Sequence, residues 1–274
     1  MEISARPKNI LDRIVETRRE SVAHRKRVLP EVALKIAVDR KAAPPRDFAS
    51  ALIAPGVRVI AELKKASPSR GLIRTQFAPA SLAASLEQAG AAALSVLTEE
   101  DFFSGSLADL KEASRVTKIP ILRKDFIIDP WQVWEARAAG ADSFLLIAAV
   151  LEDGILGDLL ALGHFLKMEP LVEVHSRHEL DRVLVVGAKI IGVNNRDLQD
   201  FTVHLKTSLD LIRAIPEECV AVSESGISTC EDIARLRDAG FDAFLIGEHL
   251  MQQYDPAHAL IDLIGSPDTD NLAG

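Results

Sequence analysis

An apolar, β-branched run followed by a stretch of helical periodicity recurs eight times between residues 57 and 264, and nothing else in the chain narrows its fold as much. Strands are read at 57–63, 93–97, 119–123, 143–147, 170–174, 190–193, 220–223 and 243–246. They are apolar almost throughout, as strands covered on both faces are. Helices at 79–89, 106–117, 130–139, 151–167, 176–186, 204–215, 228–239 and 249–264 separate them. Four of these helices run into a glycine that leads straight into a strand, in AGAAALSV, AGADSFLL, VGAKIIGV and AGFDAFLI. Glycine past a helix end accepts the left-handed backbone that stops the helix. Ser176 with Glu179, and Ser228 with Glu231, have capping-box spacing at helix starts.

An open doubly wound sheet also alternates strand and helix, but eight regular units favour closure. The predicted fold is therefore α/β, a (β/α)8 (TIM) barrel. Ahead of it, 8–28 reads as an amphipathic helix with Ile10, Leu11, Ile14 and Val15 on one face. A second helix at 31–38 ends before the Pro44-Pro45 break. The expected organisation is one domain over 1–274: a helical extension at 1–47, the barrel at 48–264 and a flexible tail at 265–274. The basic run at 24–27 reads as a solvated face that suits a helix C-terminus.

Composition restricts the partners. A formal charge of −8 argues against broad nucleic-acid or anionic-membrane binding. The longest apolar run, 144–151, is too short to span a bilayer. The start, MEISARPKN, has no apolar core of a secretory leader. The two cysteines, Cys219 and Cys230, have neither metal nor redox spacing and read as buried thiols in a reducing compartment. A cytoplasmic protein, monomeric or weakly self-associating, is expected.

Polar residues concentrate where strands end. In a barrel these ends converge on one mouth. VRVIAELKKASPSRG delivers Glu62 and Lys64 on one face, then a loop with Ser67 and Ser69. PILRKDF delivers Lys124 and Asp125, and LVEVH places Glu173 inside an apolar run. IGVNNRDL gives Asn194, Asn195 and Arg196; VAVSESGI gives Glu224, Ser225 and Gly226; FLIGEHLM gives Gly247 and Glu248. Two lysines facing three carboxylates hold each other charged while burial opposes it, which suits general acid–base work near neutral pH. A ring of ion pairs stabilising the rim explains any one of these residues, but not all six strand ends together. The last two loops set a glycine before a helix, where free N–H groups and the helix dipole favour a phosphate. Phe103 reads either as loop packing or as an aromatic wall for a flat substrate. His175 and His178 stand three apart without a third ligand nearby, so zinc is not expected. No P-loop, dinucleotide fingerprint or nucleophile elbow occurs, and no metal or cofactor is expected.

Taken together, AELKKASPSRG, SVLTEEDFFSGS, PILRKDFIID, LVEVH, IGVNNRDL, SESGI and AFLIGEHLM resemble the indole-3-glycerol-phosphate synthase family, in its motif order, from about residue 8 to residue 264. The resemblance implies ring closure, decarboxylation and dehydration of 1-(2-carboxyphenylamino)-1-deoxyribulose 5-phosphate. It implies Lys124 as the general acid at the ketone, and Glu173 as the acid–base partner in dehydration. Lys64 would pair with the substrate carboxylate. Glu62, Asn194 and Glu224 would orient these groups and bind sugar hydroxyls. Ser67, Gly226, Gly247 and the backbone of Glu248 would hold the phosphate, with Ser225 near the ring and Phe103 and Arg196 among the binding residues. Many relatives carry serine where this chain has Glu248, whose side chain is expected to turn away from a phosphate. Two other readings stay open: a Schiff-base sugar-phosphate aldolase using Lys124 or Lys64, and a non-catalytic barrel that binds a phosphorylated ligand. A third relative of the fold, phosphoribosylanthranilate isomerase, shares the phosphate site but not this Lys/Glu set.

Overall fold

The computed structural model describes residues 9–41, 43–197 and 201–265. Eight strands alternate with helices: β1 (Arg58–Leu63), β2 (Ala93–Leu97), β3 (Ile121–Lys124), β4 (Ser143–Ile147), β5 (Leu171–Val174), β6 (Ile190–Asn194), β7 (Val220–Glu224) and β8 (Ala243–Ile246). Each pairs in parallel with the next, and β8 closes onto β1, with Ala61 opposite Ile246. The barrel follows from the alternation. Strands this apolar need cover on both faces, and each intervening helix supplies the outer one.

The two-residue period of a strand decides what lies inside. Ile60, Leu122, Leu171, Ile190 and Val222 fill the interior, while Val59, Ala61, Val172, Val174 and Val193 pack outward against the helices. One step further along the inward face come Glu62, Lys124, Glu173, Gly192 and Glu224. The same parity that builds the apolar plug therefore stacks the charged groups above it. The four helix-ending glycines have φ of 97°, 96°, 87° and 116° at Gly90, Gly140, Gly187 and Gly240, as the sequence pattern required.

The extension forms α1 (Ile10–Val28) and α2 (Glu31–Lys41). The barrel helices that follow include α4 (Pro79–Gln88), α5 (Leu107–Val116), α6 (Pro130–Ala139), α7 (Asp153–Phe165), α8 (Arg177–Val185), α9 (Lys206–Leu211) and α10 (Cys230–Ala239), and ahead of them lies a further helix outside the expectation, α3 (Phe48–Ile53). Its six residues give too short a pattern to read, yet it buries Phe48 and Leu52 among the lower interior residues. The basic run near the end of α1 is not merely solvated. Arg25 pairs with Glu135, and Lys26 with Asp129 at 2.7 Å. Arg18, 2 % exposed, meets Asp125 at 2.8 Å and Glu99 at 3.7 Å. Losing one member of such a buried set costs about 3–5 kcal/mol, so specific partners dock the extension on the ends of β2 and β3.

Three local readings need correction. The capping box at 228–231 sits one residue later: Thr229 caps α10 (Cys230–Ala239) and Asp232 returns the bond. At α8 (Arg177–Val185) Ser176 does accept from Glu179 N, but the Glu179 carboxylate takes the His175 amide instead of completing the box. The last helix is two, α11 (Glu248–Gln252) and α12 (Pro256–Ile264). Pro256 cannot continue a helix but suits a first turn, and the Asp255 side chain caps it. Cys219 is buried as expected; Cys230, opening α10, is exposed. The tail expected at 265–274 lies, from residue 266, outside the described residues, as do residues 1–8. Among the described residues no helix is long and apolar enough to cross a membrane.

Candidate active site

The C-terminal ends of the strands enclose a cavity that opens to solvent at its mouth. Of the residues expected at the strand ends it gathers Glu62, Lys64, Ser67, Phe103, Lys124, Glu173, Asn194, Arg196, Glu224, Ser225, Gly226, Gly247 and Glu248, while Asn195 lies outside its lining.

A chain of charges crosses its floor. Lys124 Nζ is 2.8 Å from Glu173 Oε2 and 3.5 Å from Glu224 Oε2. Lys64 Nζ is 2.8 Å from Glu62 Oε1. Burial works against the Lys124 charge, but the carboxylates of Glu173, Glu224 and Glu62 outweigh it and lift the ammonium above the ordinary lysine range. Burial would also raise Glu173; Lys124 and His175 prevail and hold it below the usual carboxylate range. Glu224 goes the other way. Burial above all pushes it up to about 8; Glu173 and Glu62 add to this, and Lys124 opposes it only in part. Its Oε1 has no hydrogen-bond partner among the described residues. At neutral pH the floor thus holds an ammonium, Lys124, with an ionised Glu173 at 2.8 Å and a protonated Glu224 at 3.5 Å from it.

Two glycines make that crowding feasible. A β-carbon on Gly192 would collide with Glu224 Oε1, and one on Gly247 with Glu62 Oε1. Gly247, expected at the phosphate, thus also clears space for a carboxylate. Ser225 and Gly226 follow with φ of 67° and 78°. Two consecutive left-handed residues, one of them not glycine, mark a strained turn of the sort held at functional sites.

One wall is apolar. Phe103 and Phe126 lie 6.2 Å apart, centroid to centroid, with Leu97 and Ile147 beside them on the cavity surface. Glu99 fixes this wall by accepting the amides of Asp101, Phe102 and Phe103. The far side carries Ser67, Ser69, Gly226, Gly247 and Arg196. The Glu248 carboxylate does not turn away from this end. It lies between Arg70 and Arg196, at 2.9 Å from each. Neutralisation by two guanidiniums keeps it there.

Some residues near the site were missed. His175 Nε2 lies 3.4 Å from Glu173 Oε1, and Nδ1 lies 3.5 Å from Glu179. Strand parity, two positions after Glu173, could have shown this; Phe126 stands two after Lys124 in the same way. Phe201 lines the cavity from a loop that carries no readable signal. Conversely, Asp125 and Asn195 serve structure: Asp125 binds Thr98, Arg123 and Arg18, and Asn195 binds Ser223, Glu224 and Ser225. Among the described residues no three His, Cys, Asp or Glu gather as a metal-ligating group, His175 and His178 included.

A family model described as indole-3-glycerol phosphate synthase matches residues 11–263. An indole-3-glycerol phosphate synthase of Dehalococcoides mccartyi is 48 % identical over 258 residues, covering 93 % of this chain and 100 % of that one. That of Polaromonas naphthalenivorans is 46 % identical over 261 residues (94 % and 99 %), and that of Burkholderia cenocepacia 44 % over 256 (92 % and 97 %). Among solved structures, a mandelate oxidase superposes with a TM-score of 0.61 at 16 % identity, over 86 % of this chain and 84 % of that one. An N-acetylmannosamine-6-phosphate 2-epimerase from Clostridium perfringens gives 0.57 at 16 %, over 72 % and 88 %. At that identity these two speak for the barrel alone.

Proposed function

The chain belongs to the indole-3-glycerol phosphate synthase family, and from that premise we propose that Lys124 and Glu173 carry the proton transfers of its reaction. The enzyme is a carboxy-lyase acting on a phosphorylated small molecule. It closes the pyrrole ring of 1-(2-carboxyphenylamino)-1-deoxyribulose 5-phosphate and releases CO₂ and water.

The observation that carries the residue assignment is the Lys124–Glu173–Glu224 cluster at the base of a cup with one aromatic wall. The aryl ring lies along Phe103 and Phe126. Its carboxylate pairs with Lys64, oriented by Glu62. The aryl carbon attacks the ketone, and Lys124 delivers a proton to the developing alkoxide, a stronger base than any of the three carboxylates around it. Loss of CO₂ returns the electron pair to the ring, so this step needs no external electron sink. Glu173 then moves the proton that lets hydroxide leave as water. Asn194 and the protonated Glu224 bind sugar hydroxyls and hold these groups in place. Ser67, Gly226, Gly247 and Arg196 hold the phosphate, with the Glu248 backbone beside them and Ser225 at the ring. The same reading treats 48–264 as the barrel and 1–47 as an extension of a single domain. It also takes the protein to be cytoplasmic, and monomeric or weakly self-associating.

Turnover of this substrate with a chelator present should develop indole fluorescence, and borohydride added during turnover should leave no mass adduct on Lys124 or Lys64. A trapped lysine adduct would make that lysine a nucleophile and sink its role as an acid.

The Glu224 carboxyl also predicts a pH profile. Its pKa is raised to about 8, so it is neutral below that pH and ionised above it. Ionisation adds a charge beside Glu173 and Lys124 and removes a hydrogen-bond donor. Accordingly kcat/KM, which reports the free enzyme, falls as pH rises through about 8. In Glu224→Gln, whose amide stays neutral, this alkaline limb is lost; an unchanged limb would assign it to another group.

A further inference from the structure

The loop after β1 is a small hairpin, Ala66–Ser67 against Gly71–Leu72, with Arg70 in its turn. Its return limb is fastened: the Arg74 guanidinium donates to the carbonyls of Met251, in the last turn of α11, and of Gln253 and Tyr254 just beyond it. The tip is held differently. The Arg70 side chain is 61 % exposed, and among the described residues its ion-pair partner is Glu248. The other oxygen of Glu248 takes Arg196, from the loop after β6. One carboxylate thus joins the tip of the first loop, the loop after β6 and the start of α11, at the phosphate end of the cup.

We propose that the Glu248 side chain is a positioning residue for the substrate phosphate, holding Arg70 and Arg196 over that end of the cup. The inference rests on the phosphate end assigned above. Three physical points support it. Two guanidiniums gathered without an anion would repel each other and swing into water. Arginine has many rotamers, and fixing them before the substrate arrives removes that entropic cost from binding. The trio keeps a net charge of +1, so a dianion meets attraction in spite of the carboxylate. Arg70 therefore joins the binding residues through Glu248.

The test is a double-mutant cycle on KM for the substrate, with Arg70→Gln, Glu248→Gln and both together, and the inhibition constant of inorganic phosphate measured in each. Each single variant should raise KM about 5- to 10-fold with kcat within about 2-fold, and the double variant should do no more than either single. The phosphate inhibition constant should rise in parallel, and Arg70→Lys, which keeps the charge, should recover part of the loss. Additive effects, an unchanged KM, or a loss confined to kcat would overturn the proposal. Inorganic phosphate that competes equally well in all variants would overturn the role of Glu248 alone. Failure of phosphate to compete in the unaltered enzyme would instead overturn the phosphate end itself.

Discussion

Lys124→Ala lowers kcat by about 10²- to 10⁴-fold, the range expected when a positioned general acid is removed. The loss falls on ring closure, so neither CO₂ nor indole fluorescence appears at the native rate in a single turnover. KM changes less, because the contacts proposed for the ionic ends of the substrate, at Lys64, Arg196 and the two glycine loops, are left in place. The variant also leaves Glu173 and Glu224 facing each other with their shared cation gone. Glu224, already protonated at neutral pH, then holds its proton to higher pH, because the cation that opposed its raised pKa is gone. The fold persists, because the apolar layer of Ile60, Leu122, Leu171, Ile190 and Val222 beneath is untouched. Retained single-turnover ring closure in a folded Lys124→Ala protein would remove this lysine from the mechanism.

Glu173→Gln separates the steps. The amide preserves shape and can still accept a hydrogen bond from Lys124, but it cannot take up a proton and return it. Ring closure and decarboxylation then proceed, while loss of water slows by about 10²- to 10⁴-fold. In a single turnover CO₂ is released well ahead of indole fluorescence, whereas in the native enzyme the two differ little. Simultaneous slowing of both signals would place Glu173 at ring closure beside Lys124 and refute its assignment to dehydration. Because the negative charge of Glu173 helps keep Glu224 protonated, the alkaline limb of the pH profile also moves to lower pH in this variant.

The barrel and its mouth were legible because they follow from rules that act over a few residues. Strand parity puts Glu62 above Ile60 and Lys124 above Leu122, and no distant group needs to be known to see it. Glycines at 90, 140, 187 and 240 stop their helices for the same local reason. Local rules failed where a rival partner lay nearby. Asp232 drew the cap of α10 to Thr229, and the amide of His175 took Glu179 from the expected box. They also failed for Gly192, whose importance lies in the side chain it lacks next to Glu224 on the adjacent strand.

Sequence alone thus determined the eight-unit alternation, the inward face of each strand and the set of polar residues carried to one rim, since each depends on backbone geometry and neighbours a few positions away. The tertiary structure alone decided which charges meet. Arg18 reaches Asp125 and Glu99 from the extension, His175 backs Glu173, and Arg70 finds Glu248, 178 positions along the chain. Barrel closure sets those distances, and the energy of an ion pair depends on distance and burial rather than on separation along the chain.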